Sequence, residues 1–162
     1  MEKFVVHGGI PLSGSITPSG NKNEALPVLA ATLLAQEPVI LHNVPDILDI
    51  TIMRGLLESL GVEVKKIDKH SFSFDSGNLK SANPDSTQAS RIRGSFLLAG
   101  PLLARKKSIV LPAPGGDRIG LRPVQTHLSA LEKLGARIDL NEKGVYQMQT
   151  SGLKGTQIYL DE

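Results

Sequence analysis

Apolar positions in this chain recur in matched blocks. The run ALPVLAATLLAQEPVILHNVP at 25–45 parallels SFLLAGPLLARKKSIVLPAPGG at 95–116. Likewise LLESLGVEVKKIDKHSFSFDSG at 56–77 parallels ALEKLGARIDLNEKGVYQMQTSG at 130–152. Each pair predicts one unit: an apolar helix, a short strand, a loop, an amphipathic helix ending in Leu-Gly, and two strands joined by a turn. Unit one covers about 21–80 and unit two about 91–152.

In the first helix of unit one, Ala25, Leu26, Val28, Leu29, Ala31, Leu33 and Leu34 leave little polar face. Phe96, Leu97, Leu98, Leu102 and Leu103 do the same in unit two. A helix apolar all round is expected to be enclosed by other elements. Pro27 and Pro101 are tolerable near a first turn and kink a helix further in. The second helices are amphipathic, with Ile50, Met53, Leu57 and Leu60 on one side of the first and Val124, Leu128, Leu131 and Leu134 on one side of the other. Gly61 and Gly135 follow the last apolar residue, where a left-handed C-cap favours glycine. VEVKKI with SFSFD, and ARIDL with VYQMQ, read as hairpins turning through IDKHS and NEKG.

The ends differ from the body. KFVVHG and LSGSIT predict two leading strands within 1–20, and 153–162 reads as the opening of a third unit. Unpaired strands at such a broken-off repeat would favour self-association. The units also differ in one loop. Leu41 to Leu60 spans nineteen positions and Leu111 to Leu134 twenty-three, so the extra residues fall between strand and helix in APGGDRIGLRPVQTH at 113–127. Insertions in repeats collect on working faces.

Composition narrows the chemistry. The net charge is +2, with both signs interspersed, and the aromatics are four Phe, two Tyr and no Trp. That argues against nucleic acid as the main partner. The chain has no Cys and four scattered His, so no thiolate or clustered metal site is expected. No secretory signal or membrane-length apolar run is visible, and the plain expectation is a cytoplasmic protein. Neither a Walker loop nor a dinucleotide fingerprint is present.

Cations gather at helix starts. In TPSGNKNEA (17–25), Ser19 or Asn21 can cap a helix beginning near Lys22. A lysine at the positive end of a helix suggests an anion between them, although a solvated lysine fits the pattern too. Arg91 and Arg93 in SRIRGS (90–95) occupy the matching place in unit two, and arginine suits bidentate pairing with phosphate or carboxylate. In the long loop, Gly115-Gly116 precedes Asp117, and Arg122-Pro123 reads as a helix start with proline at its first position. Asp117 is equally readable as a turn carboxylate, and His127 as a half-buried helix residue.

SGNKNEALPVLAATLLA, GPLLAR, LPAPGGDRIGLRPVQTHLSALEKLGA and LKGTQIYLD together resemble the enolpyruvyl transferase family, in its UDP-N-acetylglucosamine 1-carboxyvinyltransferase branch. The resemblance covers essentially the whole chain. It implies an α/β fold, the inside-out α/β barrel built from βαβαββ units, with two units present and a third only begun. It implies transfer of the enolpyruvyl group of phosphoenolpyruvate to the 3-hydroxyl of UDP-N-acetylglucosamine, by addition and elimination, with no metal or organic cofactor. This is the first committed step of peptidoglycan synthesis.

The resemblance also assigns residues. Lys22 and Asn23 match the Lys-Asn pair that contacts phosphoenolpyruvate and the sugar. Arg93 matches the arginine before the second buried helix. Arg122, Pro123 and Val124 match the stretch that binds the nucleotide end, completed by Gln125 and Thr126, and His127 matches a nearby histidine. Asp117 stands where most members have the cysteine that protonates phosphoenolpyruvate. A free aspartic acid, with pKa near ~3.9, is ionised at neutral pH, so Asp117 needs a raised pKa to act as the acid. The swap also implies resistance to fosfomycin, which alkylates the cysteine.

Gln125 stands where many members have an Asp against the uracil. The family's second domain, which carries a general base and normally pairs with the leading strands, lies beyond this chain. Little turnover is therefore expected from these residues alone. The alternatives are a sister transferase acting on shikimate 3-phosphate, and a non-catalytic domain that binds anions or self-associates.

Overall fold

The computed structural model describes residues 3–116 and 123–160. Unit one runs α1 (Lys22–Ala31), β1 (Val39–Leu41), α2 (Leu48–Ser59), β2 (Glu63–Lys66) and β3 (Phe72–Asp75). A single helical turn, α3 (Ser86–Ala89), leads into unit two: a 3₁₀ segment at Arg93–Leu98, then α4 (Ala99–Lys106), β4 (Ser108–Pro112), α5 (Gln125–Lys133), β5 (Arg137–Leu140) and β6 (Val145–Gln149). The predicted order of elements is therefore present in both units.

Each unit carries a three-stranded antiparallel sheet with its last strand in the middle, in the orders β1-β3-β2 and β4-β6-β5. Phe74 sits opposite both Val39 and Val64, and Met148 opposite both Ile109 and Ile138. These central positions are fully buried, because alternate side chains of a strand share one face and here that face meets the helices. Gly61 and Gly135 adopt φ +98 and +101 and end α2 and α5 as expected. The Asn141 carboxamide oxygen accepts from the backbone of Lys143 and Val145 and fixes the β5–β6 turn.

One apolar core runs through both units and includes Leu29, Leu33, Met53, Leu56, Leu102, Leu103, Phe74 and Met148. Side chains also bridge the units. Arg105 donates to the carbonyls of Leu33 at 2.9 Å and Ser76 at 2.6 Å, and Lys106 donates to that of Leu79 at 2.8 Å. The Asn83 side chain accepts from the backbone N–H of Val110 and covers part of the β4 edge.

Five expectations need correction. Residues 3–20 form no strand, and Phe4, Leu12 and Ile16 stand almost wholly exposed; a strand needs a neighbouring ladder, and no described strand lies beside them. The same holds at 153–160, where the backbone of Lys154 and the carbonyl of Tyr159 instead bond to the Leu134 carbonyl and the Lys133 ammonium. Each unit is thus built as α-β-α-β-β among the described residues.

The other three corrections concern helices. The first helices are not enclosed on every side, since Val28 is 40% and Leu34 54% exposed. In unit two, Phe96–Leu98 lie in the 3₁₀ segment, and the α-helix starts only at Ala99. Pro101 has no N–H for an α-bond back to Leu97 and so falls within the first turn of α4, where none is needed. Finally, α5 starts at Gln125 with Val124 at its N-cap, which leaves Pro123 outside the helix. The Val124 backbone (φ −107, ψ 7) is not helical.

Candidate functional site

Five chain segments open onto one cleft of about 490 Å³: the starts of α1, α2 and α5, the Arg91–Leu97 stretch, and Gly116. Asn21 caps α1 by accepting from the Asn23 N–H at 2.7 Å. This places Lys22 at the first position of the helix, on the cleft wall. Its ammonium lies 3.0 Å from the Asp49 carboxylate in the first turn of α2, with both side chains partly exposed. The lysine is thus held across the cleft mouth by a residue on another helix.

In unit two, buried Ile92 anchors the segment that carries Arg93. The Arg93 guanidinium donates to the Pro123 carbonyl at 2.8 Å, which joins this segment to the residues before α5. Gly115 rests on the same segment: a Cβ there would collide with the Ser90 carbonyl, and one at Gly116 would come within 3.3 Å of the Arg93 nitrogen. Both ends of the long loop are therefore seated against residues 90–93. His127 reaches the cleft from the first turn of α5. Its ring lies 6.0 Å from that of Phe96, which in turn meets Tyr146 edge-on at 5.5 Å.

Of the residues named from sequence, the cleft brings together Lys22, Asn23, Arg93, Val124 and His127. Pro123 takes part through its carbonyl. Gln125 and Thr126 are exposed and do not line the cleft. Asp117 and Arg122 lie outside the described residues. Sequence reasoning missed Asp49. An acidic residue in a first turn reads as ordinary pairing with the helix dipole, and only the tertiary fold brings it to Lys22.

The electrostatics favour an anion. Lys22, Arg91 and Arg93 face the cleft, and Asp49 is its one carboxylate among the described residues. The first residues of two helices, ten and twelve residues long, also line it, and the N-terminal end of a helix favours negative charge. Among the described residues no group of three or more His, Cys, Asp or Glu is placed to hold a metal, and no helix is long and apolar enough to cross a membrane.

Comparison with known proteins gives the family and the fold. The EPSP synthase (3-phosphoshikimate 1-carboxyvinyltransferase) family matches residues 6–162. A UDP-N-acetylglucosamine 1-carboxyvinyltransferase of Treponema denticola is 43% identical over 100% of this chain. One from Bradyrhizobium diazoefficiens is 43% identical over 99% of it. The chain spans 38% and 37% of the length of these relatives. Among solved structures, the enolpyruvyl transferase NikO from Streptomyces tendae superposes with a TM-score of 0.76 at 26% identity, covering 91% of this chain and 32% of that one. EPSP synthase from Acinetobacter baumannii, at 21% identity, covers 90% of this chain and 34% of its own with a TM-score of 0.67, and shows the shared fold. The architecture is that of part of an inside-out α/β barrel.

Proposed function

This chain belongs to the EPSP synthase family of carboxyvinyl transferases, and on that premise we propose that it supplies one side of the site where phosphoenolpyruvate donates its enolpyruvyl group to the 3-hydroxyl of UDP-N-acetylglucosamine. The observation that carries this reading is the convergence of Lys22 and Arg93, from matching places in the two units, on one cleft. Both substrates are anionic, through a phosphate with a carboxylate in one and a diphosphate in the other. Fixed cations and helix N-termini stabilise such charge without reorganising during the reaction.

In this reading the sugar oxygen bonds to C2 of phosphoenolpyruvate while Asp117 delivers a proton to C3. A general base in the remainder of the protein takes the hydroxyl proton. The tetrahedral ketal then expels phosphate and loses a proton from C3, leaving the enolpyruvyl ether. Lys22 and Asn23 hold phosphoenolpyruvate and the sugar, and Arg93 holds an anionic substrate group. Arg122, Pro123, Val124, Gln125 and Thr126 serve the nucleotide end, with His127 beside them. The setting is the cytoplasmic opening of peptidoglycan synthesis and, through it, cell-wall growth and division.

The 43% relatives favour the nucleotide sugar over shikimate 3-phosphate as acceptor. Titration calorimetry tests this: heat of binding with UDP-N-acetylglucosamine and none with shikimate 3-phosphate is expected, and the reverse selects the sister reaction. Because the chain has no cysteine, fosfomycin is expected to leave it unmodified by intact-mass spectrometry, whereas Asp117→Cys should gain one covalent adduct.

A further inference from the structure

Arg91 is the cleft cation to which the family resemblance gives no role. Ile92 has extended backbone (φ −127, ψ 142) and a side chain only 2% exposed. Since side chains alternate along extended chain, burying Ile92 turns Arg91 and Arg93 together to the opposite side, and both line the cleft. The backbone beneath them is fixed. The Arg91 N–H donates to the Gln88 carbonyl at 3.0 Å, and Gly115 packs on the Ser90–Arg91 peptide.

The three cleft cations differ in what they already hold. Lys22 is paired with Asp49, and Arg93 is bonded to the Pro123 carbonyl. Among the described residues the Arg91 guanidinium has neither an ion-pair nor a hydrogen-bond partner. With Asp49 offsetting Lys22, two guanidinium charges remain over the cleft. Two planar forks on one side of an extended segment suit a phosphate ester dianion, which offers several oxygens for bidentate bonds.

We propose that Arg91 is a direct ligand of a substrate phosphoryl group, supplying a second guanidinium beside Arg93. This rests on the reading that the cleft takes phosphorylated substrates. That phosphoryl group belongs either to phosphoenolpyruvate or to the diphosphate of UDP-N-acetylglucosamine, and separate titrations with each distinguish them.

Calorimetric titration of the protein and its Arg91→Gln variant, with each ligand in turn, is the test. Loss of a charge-assisted bond is expected to weaken binding of one of the two about tenfold or more. The melting temperature should be unchanged, because the side chain is exposed and holds no partner among the described residues. Arg91→Lys, which keeps the charge but not the fork, should bind that ligand about threefold more weakly than the parent. If both ligands bind Arg91→Gln as tightly as the parent, the role of Arg91 is overturned while the functional reading stands. If the parent binds neither, both fall. Should Arg91→Gln fail to fold, Arg91→Lys decides, and unchanged binding overturns the proposal.

Discussion

The amphipathic helices α2 and α5 are written with the same pattern and finished differently. α2 buries Ile50, Ile52, Met53, Leu56 and Leu57, while α5 has no buried residue, and its Leu128, Leu131 and Leu134 are only half covered. Both end in a leucine followed by a left-handed glycine, and both feed a hairpin. The pattern of apolar positions therefore fixes which face is apolar and where the helix stops. It does not fix how much other material lies against that face. α2 is covered by α1, α3 and the 3₁₀ segment of unit two, whereas α5 meets chiefly its own β5.

The sharpest way to break this comparison is to truncate matched leucines. Leu57→Ala removes a fully buried side chain from the shared core and is expected to cost about 2–5 kcal/mol. Leu131→Ala on α5 should cost less than about half of that, since its side chain is already partly in water. Urea denaturation of the two variants measures both. Equal losses would mean that the α5 face is as well covered as that of α2.

Glycines of unit two sharpen the same point at the loop. Gly115→Ala drives a methyl group into the Ser90 carbonyl, whereas Gly100 has open space where its Cβ would lie. The first substitution is expected to cost about 1–3 kcal/mol through overpacking. The second, inside α4, should be neutral or stabilising by up to about 1 kcal/mol. A Gly115→Ala variant as stable as the parent by thermal melting would show that the loop root is not seated on residues 90–93.

The smallest effect is expected in the hairpin turn of unit one. The Asp68 carboxyl is held below its ordinary value of 3.8, first by the His70 backbone N–H and then by the Ser71 hydroxyl. A depressed folded-state value contributes stability that is fully present above pH 3.8 and is lost as pH falls through the lower folded value. Asp68→Asn should therefore flatten the acid end of the stability curve slightly and leave it unchanged in shape near neutrality. The side chain is exposed, and a steep change at pH 6–7 would contradict this account.

Much of the molecule was legible because it is local and repeated. The hairpins, the glycine stops and the order of helix and strand follow from periodicity, and the matched cations at Lys22 and Arg93 follow from aligning the repeats. What was not legible depends on neighbours distant in sequence. The leading segment carries a strand-like pattern, but pairing needs a partner that no pattern supplies. The late start of α4 reflects Pro101 competing with an apolar run that reads as helix throughout. Asp49 gave only the signal of a common first-turn acid, and Lys22 meets it through the packing of α1 on α2.

The basic end of α4 has one more consequence. A helix usually keeps such residues beside its own terminal carbonyls, yet Arg105 and Lys106 spend their protons on Leu33, Ser76 and Leu79 in the preceding repeat. Neither repeat can come apart without stranding polar groups in the other. An architecture built by duplication has thereby become indivisible, and its copies must be acquired and forfeited as a single cooperative body.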